Sequence, residues 1–372
     1  MTGDGLRVAV LGAGGTIAPA IVRDLAESEE VGALRLLDLD GDRAAAVAGA
    51  HGGENASAMA LDAAGDDLRH ALSGCAVLVN SASYRLNLHA MRACLDAGCA
   101  YIDLGGLYWM TGRQLELDES FRAAGLIAIL GIGSSPGKTN LMAARAAREL
   151  DVEQLDAAHV SAASRDLEPP RHGELVVPYA LRTLMDELTM RPVAVRDGER
   201  VELDPLTPGG DVDFGEPIGT GATLHTIHSE LRTFPESFGC TESSFRLSLP
   251  PALLARLREL TDAPDEEIDA AARAARPPSA RTVSVHRVDA TAGGRSASVR
   301  AVTSAMPEWG FGGGVVSTAT PAAAAVRLIA RGRIGDVGVL PPERCIDPHE
   351  MFPELERRGC AFSIEQSEEV AV

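Results

Sequence analysis

The chain has 372 residues, of which 45% are hydrophobic and 23% charged, the proportions of an ordinary folded protein with room for two domains. Its formal net charge of -19 argues against nucleic acid or an anionic membrane surface as a partner. No apolar run approaches the roughly 18 residues that a membrane-spanning helix needs. The N-terminus has no cationic region followed by an apolar one, so we expect no secretory signal.

Cysteine and lysine usage adds two observations. The six cysteines are scattered and form no CxxC pair, which is typical of reduced thiols, so we expect a cytoplasmic protein. Lysine and arginine total 34, yet the chain contains a single lysine, Lys138. A bias towards alanine, arginine and glycine explains why lysines are few, but it does not explain where this one stands.

The first forty residues predict a strand, a glycine turn, a helix and a second strand. An apolar run over residues 6–11 is typical of a buried strand, and Gly12, Gly14 and Gly15 follow it at once. Such a turn lets backbone N–H groups approach a pyrophosphate, while the helix N-terminus adds a positive dipole. The spacing fits the GxxGxxA form of the dinucleotide motif, although a glycine turn also occurs in α/β domains that bind nothing.

The second predicted strand ends on Asp38, in the place of the acidic residue that accepts hydrogen bonds from an adenosine ribose. A carboxylate there repels a 2′-phosphate, and the next residue is Leu39 rather than an arginine. The sequence therefore predicts NAD as the cofactor. NADP stays possible because Arg43 is near enough in sequence to reach the same position.

Strands and helices alternate as far as residue 130. Further strands are predicted over residues 34–38, 56–61, 76–79, 100–102 and 126–130, with a helix over residues 114–124. This alternation predicts an α/β fold with a doubly wound parallel (Rossmann) sheet, whose ligand lies beyond the carboxyl ends of the strands. The residues predicted to bind the cofactor are Gly12, Gly14, Gly15, Thr16, Ile17, Asp38, Leu39, Asp62, Ser81 and Ala82.

Lys138 stands in the stretch GIGSSPGKTN, residues 131–140, which opens a predicted helix running to about residue 150. The ATP-binding motif GxxxxGK[ST] needs a glycine where this chain has Ile132, so we expect no ATP site. A lysine near a helix N-terminus opposes the helix dipole. A substrate carboxylate or cofactor phosphate would relieve that repulsion; the alternative is a solvated lysine.

From about residue 151 the alternation stops, and the pattern predicts an antiparallel α+β domain. It includes a helix over residues 178–187, a strand over residues 224–231 and two hairpins. A glycine-rich stretch near residue 310 leads into a helix over residues 322–331 and a short closing segment. We predict a dinucleotide-binding domain over residues 1–135, a substrate-binding and dimerisation domain over 136–310, and a segment over 311–372 that returns to the first domain.

Taken together, these features resemble the saccharopine dehydrogenase-like oxidoreductases, and most closely the lysine 6-dehydrogenase group. The resemblance covers nearly the whole chain and rests on residues 12–18 with Asp38, 91–106, 136–140, 186–187, 224–230 and 338–343. It implies a dinucleotide domain with an inserted domain that binds substrate and mediates homodimer formation. It also implies NAD(P)-linked oxidation of a CH–NH bond, or reduction of the imine. Ile17 and Ser134–Ser135 depart from the pattern of many relatives.

Oxidation of an amine requires a neutral nitrogen, and therefore a nearby base. Asp103, at the end of a predicted strand, is a candidate for amine contact or proton transfer, or else a cap for the following turn. His228 and Glu230 share a face of the predicted strand over residues 224–231, where Glu230 suits an ammonium and His228 a proton or a carboxylate. A structural hydrogen-bonded pair is the alternative. We expect no zinc, because His225 and His228 point to opposite faces of that strand.

The predicted substrate-binding residues are Tyr84, Ser134, Ser135 and Lys138, although a tyrosine in the position of Tyr84 is more often a packing residue. We therefore predict an NAD(P)-dependent dehydrogenase acting on a small amine or amino acid. Two alternatives stay open: a dinucleotide-binding protein without turnover, and a synthase that joins an amine to a carbonyl compound and reduces the imine. The synthase needs extra cationic groups for two carboxylates, which could be Arg165, Arg171 and Arg232.

Overall fold

The computed structural model describes residues 5–65, 68–168 and 174–368. Within these ranges the chain divides into two compact units. The first unit comprises the residues up to Lys138 together with Thr318–Leu355, and the second comprises Thr139–Ser317 and the residues from Glu356. Each unit is built on its own β-sheet.

The strands of the described residues are numbered in chain order. They are β1 Leu6–Leu11, β2 Val31–Asp38, β3 Ala56–Ala60, β4 Val77–Asn80, β5 Ala100–Asp103, β6 Ile127–Ile129, β7 Ala157–Asp166, β8 Val193–Arg196, β9 Glu199–Glu202, β10 Pro208–Asp213, β11 Thr220–His225, β12 Glu242–Ser248, β13 Thr282–Ala292, β14 Arg295–Thr303, β15 Gly338–Leu340 and β16 Cys360–Glu368.

The helices are numbered in the same way. They are α1 Ala18–Ala26, α2 Gly41–His51, α3 Leu68–Ala71, α4 Asn87–Ala97, α5 Leu107–Leu115, α6 Asp118–Ala124, α7 Lys138–Glu149, α8 Leu181–Thr189, α9 Glu230–Phe238, α10 Pro251–Leu260, α11 Asp265–Ala274, α12 Gly313–Ala330, α13 Pro342–Cys345 and α14 Pro348–Glu356.

In the first unit, seven strands of the described residues form a sheet in the order β15-β6-β5-β4-β1-β2-β3, and every pair in it is parallel. This is the doubly wound arrangement with its switch point between β1 and β4, and it confirms the predicted Rossmann sheet. The carboxyl ends of β1 and β4 are therefore neighbours, as a dinucleotide site requires.

The single helix predicted over residues 114–124 is wrong, because the structure has two helices, α5 and α6, in this stretch. The second helix begins at Asp118, whose Oδ1 accepts a hydrogen bond of 2.8 Å from the backbone N–H of Val339 in β15. Its Oδ2 accepts one of 2.7 Å from Arg122. A continuous helix would turn this carboxylate away from the sheet edge that it caps.

The second unit contains a mixed sheet rather than the predicted antiparallel one, since β7 and β12 run parallel while the other pairs are antiparallel. The predicted return of residues 311–372 to the first domain is also wrong in part. Residues 318–355 belong to the first unit, but β16 pairs with β14 in the second sheet over its whole length. The chain end thus completes the inserted domain.

The strand predicted over residues 224–231 is replaced by the end of β11 at His225 and the start of α9 at Glu230. Leu231, Phe234 and Phe238 are buried on one face of α9. Their spacing of three and four residues is typical of an amphipathic helix and not of a strand. The argument that residues of this stretch alternate between two faces of a strand therefore does not apply to His228 and Glu230.

Within the described ranges, α12 is long and apolar enough, by length and composition alone, to cross a membrane, contrary to the expectation that no such run occurs. Of this 18-residue window, 78% is buried inside the protein. A core helix of a folded domain has the same composition, so burial explains the apolar character of α12.

A buried ion-pair network joins α12 to two other helices of the first unit. Arg327 on α12 is 2% exposed, and its Nη1 donates to Asp24 Oδ1 on α1 at 2.8 Å and to Ser28 Oγ at 3.1 Å. Its Nε donates to Glu354 Oε2 on α14 at 2.7 Å. Arg331 Nη1 donates to the other oxygen of Glu354, Oε1, at 2.7 Å. The ion pairs between α12, α1 and α14 thus fix residues 318–355 to the first unit.

We expect Arg327→Met to lower the free energy of unfolding by about 3–5 kcal/mol, because it removes the buried cation that pairs with Asp24 and leaves Glu354 with the half-exposed Arg331. The control is Arg23→Met, which breaks an exposed pair with Glu27 on α1 and should cost about 0.5 kcal/mol or less. Urea unfolding of the full chain measures both variants. Equal losses in the two would show that the buried network does not stabilise the unit.

Candidate functional site

The glycine turn after β1 approaches the chain that follows β4. Gly12 has a φ of +75°, and its N–H donates to Leu37 O at 2.8 Å, while Gly15 N donates to Gly12 O at 3.0 Å. A Cβ on Gly12 would lie 2.7 Å from Ala82 Cα and 2.9 Å from the carbonyl carbon of Ser81. Only glycine fits here, and the structure brings together the two predicted cofactor-binding segments.

Asp38 connects the end of β2 to this turn. Its Oδ2 accepts a hydrogen bond of 2.8 Å from Gly14 N, and its Oδ1 accepts one of 2.9 Å from Asp40 N. A Cβ on Gly14 would lie 2.9 Å from Arg43 Cβ and 3.2 Å from the Asp38 carboxylate. The predicted acidic residue therefore holds the shape of the glycine turn, and its role towards a ribose stays a prediction.

A surface recess adjoins Asp38 on the side where an adenosine would lie. It is lined by Asp38, Leu39, Asp40, Gly41, Asp42, Arg43 and Ala60. Leu39 is 76% exposed, so an apolar side chain is available for a flat base to pack against. Three carboxylates and one guanidinium line the recess, a balance that favours a neutral ribose hydroxyl over a phosphate.

The other predicted cofactor residues lie at or near the same edge of the sheet. Thr16 and Asp62 are exposed, and Ile17 is buried at the start of α1. Asp62 Oδ1 accepts a hydrogen bond of 3.0 Å from Ala64 N, so this carboxylate caps its own turn. Ala82 N donates to Asn80 Oδ1 at 3.1 Å.

Asp103 is 1% exposed, and five donors surround its carboxylate, one of which is the hydroxyl of Tyr101. Oδ1 accepts from Gly105 N at 2.9 Å and from Gly131 N at 2.7 Å. Oδ2 accepts from Gln114 Nε2 at 2.6 Å and from Asn87 Nδ2 at 3.1 Å. Burial raises the pKa of Asp103, although these hydrogen bonds oppose the rise. This geometry favours the turn-capping alternative, because both oxygens are already engaged within the unit.

The network around Asp103 continues towards the cofactor-binding edge. Asn87 Oδ1 accepts from Asn80 Nδ2 at 2.9 Å, and Asn80 Nδ2 also contacts Tyr101 Oη at 3.2 Å. Asn80 in turn fixes the backbone of Ala82. A change at Asp103 can therefore reach the turn that faces Gly12 without any direct contact.

The loop over residues 131–137 starts from the hydrogen bond between Gly131 and Asp103 and ends at α7, which begins at Lys138. Lys138 is 1% exposed, so the solvated alternative for this lysine is wrong. Its N–H donates to Gly133 O at 2.9 Å, and Ser134 Oγ lies 3.2 Å from Thr318 Oγ1. Ser135 is half-buried.

Tyr84 opens a short 3-10 turn after β4 and is half-buried. The guanidinium of Arg85 stands 4.8 Å from the centre of its ring, which is cation–π distance. Ser83 Oγ accepts a weak hydrogen bond of 3.5 Å from Arg85 N. The roles of Tyr84, Ser134, Ser135 and Lys138 towards a substrate stay predictions.

In the second unit, His228 and Glu230 form the pair that the sequence suggested, although no strand holds them. His228 Nδ1 lies 2.9 Å from Glu230 Oε2, and Thr139 Oγ1 donates to Glu230 Oε1 at 2.7 Å. Glu230 is 0% exposed and His228 5%. The imidazole stacks on Phe245 with ring centres 3.5 Å apart. Burial alone would lower the pKa of His228, but the charge and hydrogen bond of Glu230, with the charge of Glu187, raise it.

Glu187 and Tyr179 complete this cluster, and sequence reasoning gave them no role. Tyr179 Oη donates to Glu187 Oε2 at 2.5 Å. Glu187 is 5% exposed, and burial raises its pKa, while the charge of His228 and the tyrosine hydrogen bond oppose the rise. The one sequence signal was the pair Asp186–Glu187 among the segments of the resemblance. In residues 5–65, 68–168 and 174–368, no group of three or more His, Cys, Asp or Glu side chains is arranged to hold a metal ion.

Comparison with known proteins identifies the first unit. Residues 8–129 match the model of the saccharopine dehydrogenase NADP binding domain. Residues 8–129 therefore form a saccharopine dehydrogenase NADP binding domain. This confirms the predicted resemblance and the predicted dinucleotide-binding character of the domain. The finer likeness to the lysine 6-dehydrogenase group stays a prediction.

The chain is also similar to a curated protein and to solved structures. It is 26% identical over 197 residues to carboxyaminopropylagmatine dehydrogenase from Synechocystis sp., an alignment covering 50% of this chain and about half, 48%, of that relative. Apo saccharopine dehydrogenase (L-Glu forming) from Saccharomyces cerevisiae aligns with a TM-score of 0.71 and 14% identity, over 98% of this chain and 100% of that chain.

A second solved structure has the same fold. Homospermidine synthase from Legionella pneumophila, in complex with NAD, aligns with a TM-score of 0.72 and 12% identity, over 97% of this chain and 91% of that chain. At such identities the likeness establishes the fold, which is the predicted Rossmann sheet with a second domain.

We expect Gly12→Ala to weaken NADH binding more than 10-fold, because the new Cβ would meet the backbone of Ala82 at 2.7 Å. The matched control is Gly98→Ala: Gly98 has a φ of +70°, close to that of Gly12, but nothing lies within 4 Å of its added Cβ. That variant should lose about 1 kcal/mol of stability to backbone strain and keep its affinity. A fluorescence titration measures the affinity of both variants for NADH. Equal affinities would contradict the assignment of the glycine turn as the dinucleotide site.

Asp103→Asn separates a structural from a catalytic role for this residue. We expect the free energy of unfolding to fall by about 2–4 kcal/mol, because the amide nitrogen would face donors that now bind a carboxylate oxygen. Asp96→Asn, at an exposed position of α4, is the control. If Asp103→Asn unfolds like the wild type but loses turnover, Asp103 is catalytic and the capping role is not its main one.

Proposed function

We propose that this chain is an NAD-dependent oxidoreductase that acts on the CH–NH bond of an amine or amino acid, or reduces the corresponding imine. The observation that carries the proposal is the buried His228–Glu230 pair, in a chain whose other unit is a saccharopine dehydrogenase NADP binding domain. Burying an ionisable pair costs free energy of folding, and proton transfer to or from an amine is a function that requires such a pair.

The residues of the first unit fit a dinucleotide. Gly12 and Gly14 leave space that any Cβ would fill, and Asp38 closes the neighbouring strand. In the proposal Gly12, Gly14 and Gly15 hold the pyrophosphate, and Asp38 holds the adenosine ribose. When bound, the nicotinamide supplies the acceptor or donor of the hydride. The preference for NAD over NADP rests on Asp38, Asp40 and Asp42, which together outweigh Arg43.

His228 is the proposed proton-transfer group. An amine must lose a proton before a hydride can leave its carbon, and the neutral imidazole can accept that proton. In the reverse direction the imidazolium returns it to nitrogen. Because the pKa of His228 is raised above its ordinary 6.5, the charged form persists to higher pH. Imine reduction is therefore favoured near neutral pH and amine oxidation at alkaline pH.

Glu230 acts through His228 in this proposal. Its two oxygens are occupied by Thr139 and His228, and its side chain is fully buried. A direct contact with a substrate ammonium, which the sequence suggested, would require one of these hydrogen bonds to break. Glu230 instead fixes the imidazole ring and stabilises its charged form, so it is a positioning residue.

The synthase alternative, which joins an amine and a carbonyl compound, finds less support. Arg165 donates to Ser164 O and to the backbone and hydroxyl oxygens of Ser248, and Arg232 pairs with Glu236 on α9. Both guanidiniums are thus engaged within the second unit, and Arg171 lies outside the described residues. A homodimer in the cytoplasm belongs to the same proposal and rests on the resemblance and the cysteine pattern alone.

Reduction of NAD, and separately of NADP, by a panel of amines headed by L-lysine tests the proposal. We expect turnover with NAD and at least one amine, with kcat/KM rising as pH increases through the raised pKa of His228. Asp38→Ala should lower the affinity for NAD at least 10-fold and reduce the ratio of the affinities for NAD and NADP. Asp96→Ala, at an exposed residue of α4, should bind both cofactors like the wild type. If the chain binds NADH tightly but oxidises no amine, two functions remain: a synthase, or a dinucleotide-binding protein without turnover.

A further inference from the structure

The cluster around His228 contains a second buried carboxylate, Glu187 on α8. Glu230 is already matched by His228 and Thr139, whereas Glu187 Oε2 accepts one hydrogen bond, from Tyr179. Its Oε1 receives none from the residues that the structure describes. The cluster therefore holds a carboxylate oxygen that can still accept a donor, in a site from which most water is excluded.

The charges that face Glu187 show what that donor should be. They come from His228, Asp186 and Glu230, beside the neutral hydroxyl of Tyr179. The buried part of this group contains two carboxyl groups and one imidazole, so its acidic side chains outnumber its basic one. A buried excess charge is stabilised by a counter-ion that can also donate a hydrogen bond.

We propose that Glu187 binds the ammonium group of the amine substrate, and that Tyr179 positions its carboxylate. The inference rests on the proposed function and narrows the substrate class to amines that arrive as cations, with His228 alongside to take the proton. Tyr179 does not touch the substrate in this arrangement: it occupies Oε2, so that Oε1 is left for the ammonium. The two carboxylates thus have separate tasks, since Glu230 serves the imidazole and Glu187 serves the substrate.

The alternative is that Glu187 is protonated and forms a neutral structural pair with Tyr179. In that case Glu187→Gln changes no charge, and neither substrate affinity nor the pH profile should respond. If Glu187 is ionised, the same substitution removes a negative charge that raises the pKa of His228. The acid limb of the kcat/KM profile for amine oxidation should then move to lower pH, which a purely structural role cannot produce.

The experiment measures the steady-state oxidation of L-lysine by this chain with NAD. If L-lysine is not oxidised, the best amine of the panel replaces it. For Glu187→Gln we expect KM for the amine to rise about 10- to 100-fold, the affinity for NADH to stay within twofold, and the acid limb to move to lower pH. Tyr179→Phe should raise KM less, about 3- to 10-fold. Glu187→Asp should recover part of the affinity. Glu259→Gln, an exposed carboxylate on α10, is the control and should match the wild type.

Each outcome bears on one proposal or the other. If the wild type oxidises an amine and Glu187→Gln leaves both KM and the pH profile unchanged, the role of Glu187 is refuted while the proposed function stands. If Glu187→Gln lowers kcat with loss of stability and no change in KM, the residue is structural and the inference again fails. If the wild type binds NADH but oxidises no amine, the proposed function fails and the role of Glu187 fails with it.

Discussion

A charge removed from water must be paired or hydrogen-bonded, and this constraint shapes both units of the chain. In the first unit, hydrogen bonds engage both oxygens of Asp103, and Arg327 pairs with Asp24 and Glu354. In the second unit, Thr139 and His228 occupy both oxygens of Glu230. Glu187 differs from Asp103 and Glu230, because Tyr179 engages one of its oxygens and the proposal assigns the other to the substrate.

The sequence predicted the first sheet well because each strand is a short apolar run followed by a glycine or a polar residue. Gly98, which has a φ of +70°, ends α4, as a glycine at this position of a helix commonly does. Local patterns could not predict β10 or β16. The latter is half-exposed and polar, and it is a strand because β14, nearly sixty residues earlier, offers it a free edge.

Prediction of the site succeeded where chain order decides which residues meet and failed where side chains meet across the fold. The carboxyl ends of β1, β2 and β4 had to lie together once the sheet was doubly wound, so the sequence predicted that Gly12, Asp38 and Ala82 lie near one another. His228 and Glu230 were paired correctly for a wrong reason, since a turn before α9 joins them rather than a strand face. The charge of Glu187 acts on His228 from a helix forty residues earlier in the chain, and no periodicity predicts that these two residues lie near each other.

The proposed cluster also answers a difficulty of amine oxidation. A carboxylate that binds an ammonium strongly raises the pKa of that ammonium, and so opposes the loss of the proton that the reaction needs. Burial raises the pKa of Glu187, and the hydrogen bond from Tyr179 and the charge of a protonated His228 oppose that rise. The proton that leaves the ammonium can stay near this carboxylate if a neutral His228 takes it. When His228 is neutral it accepts that proton, and the resulting imidazolium restores the charge that the ammonium has lost.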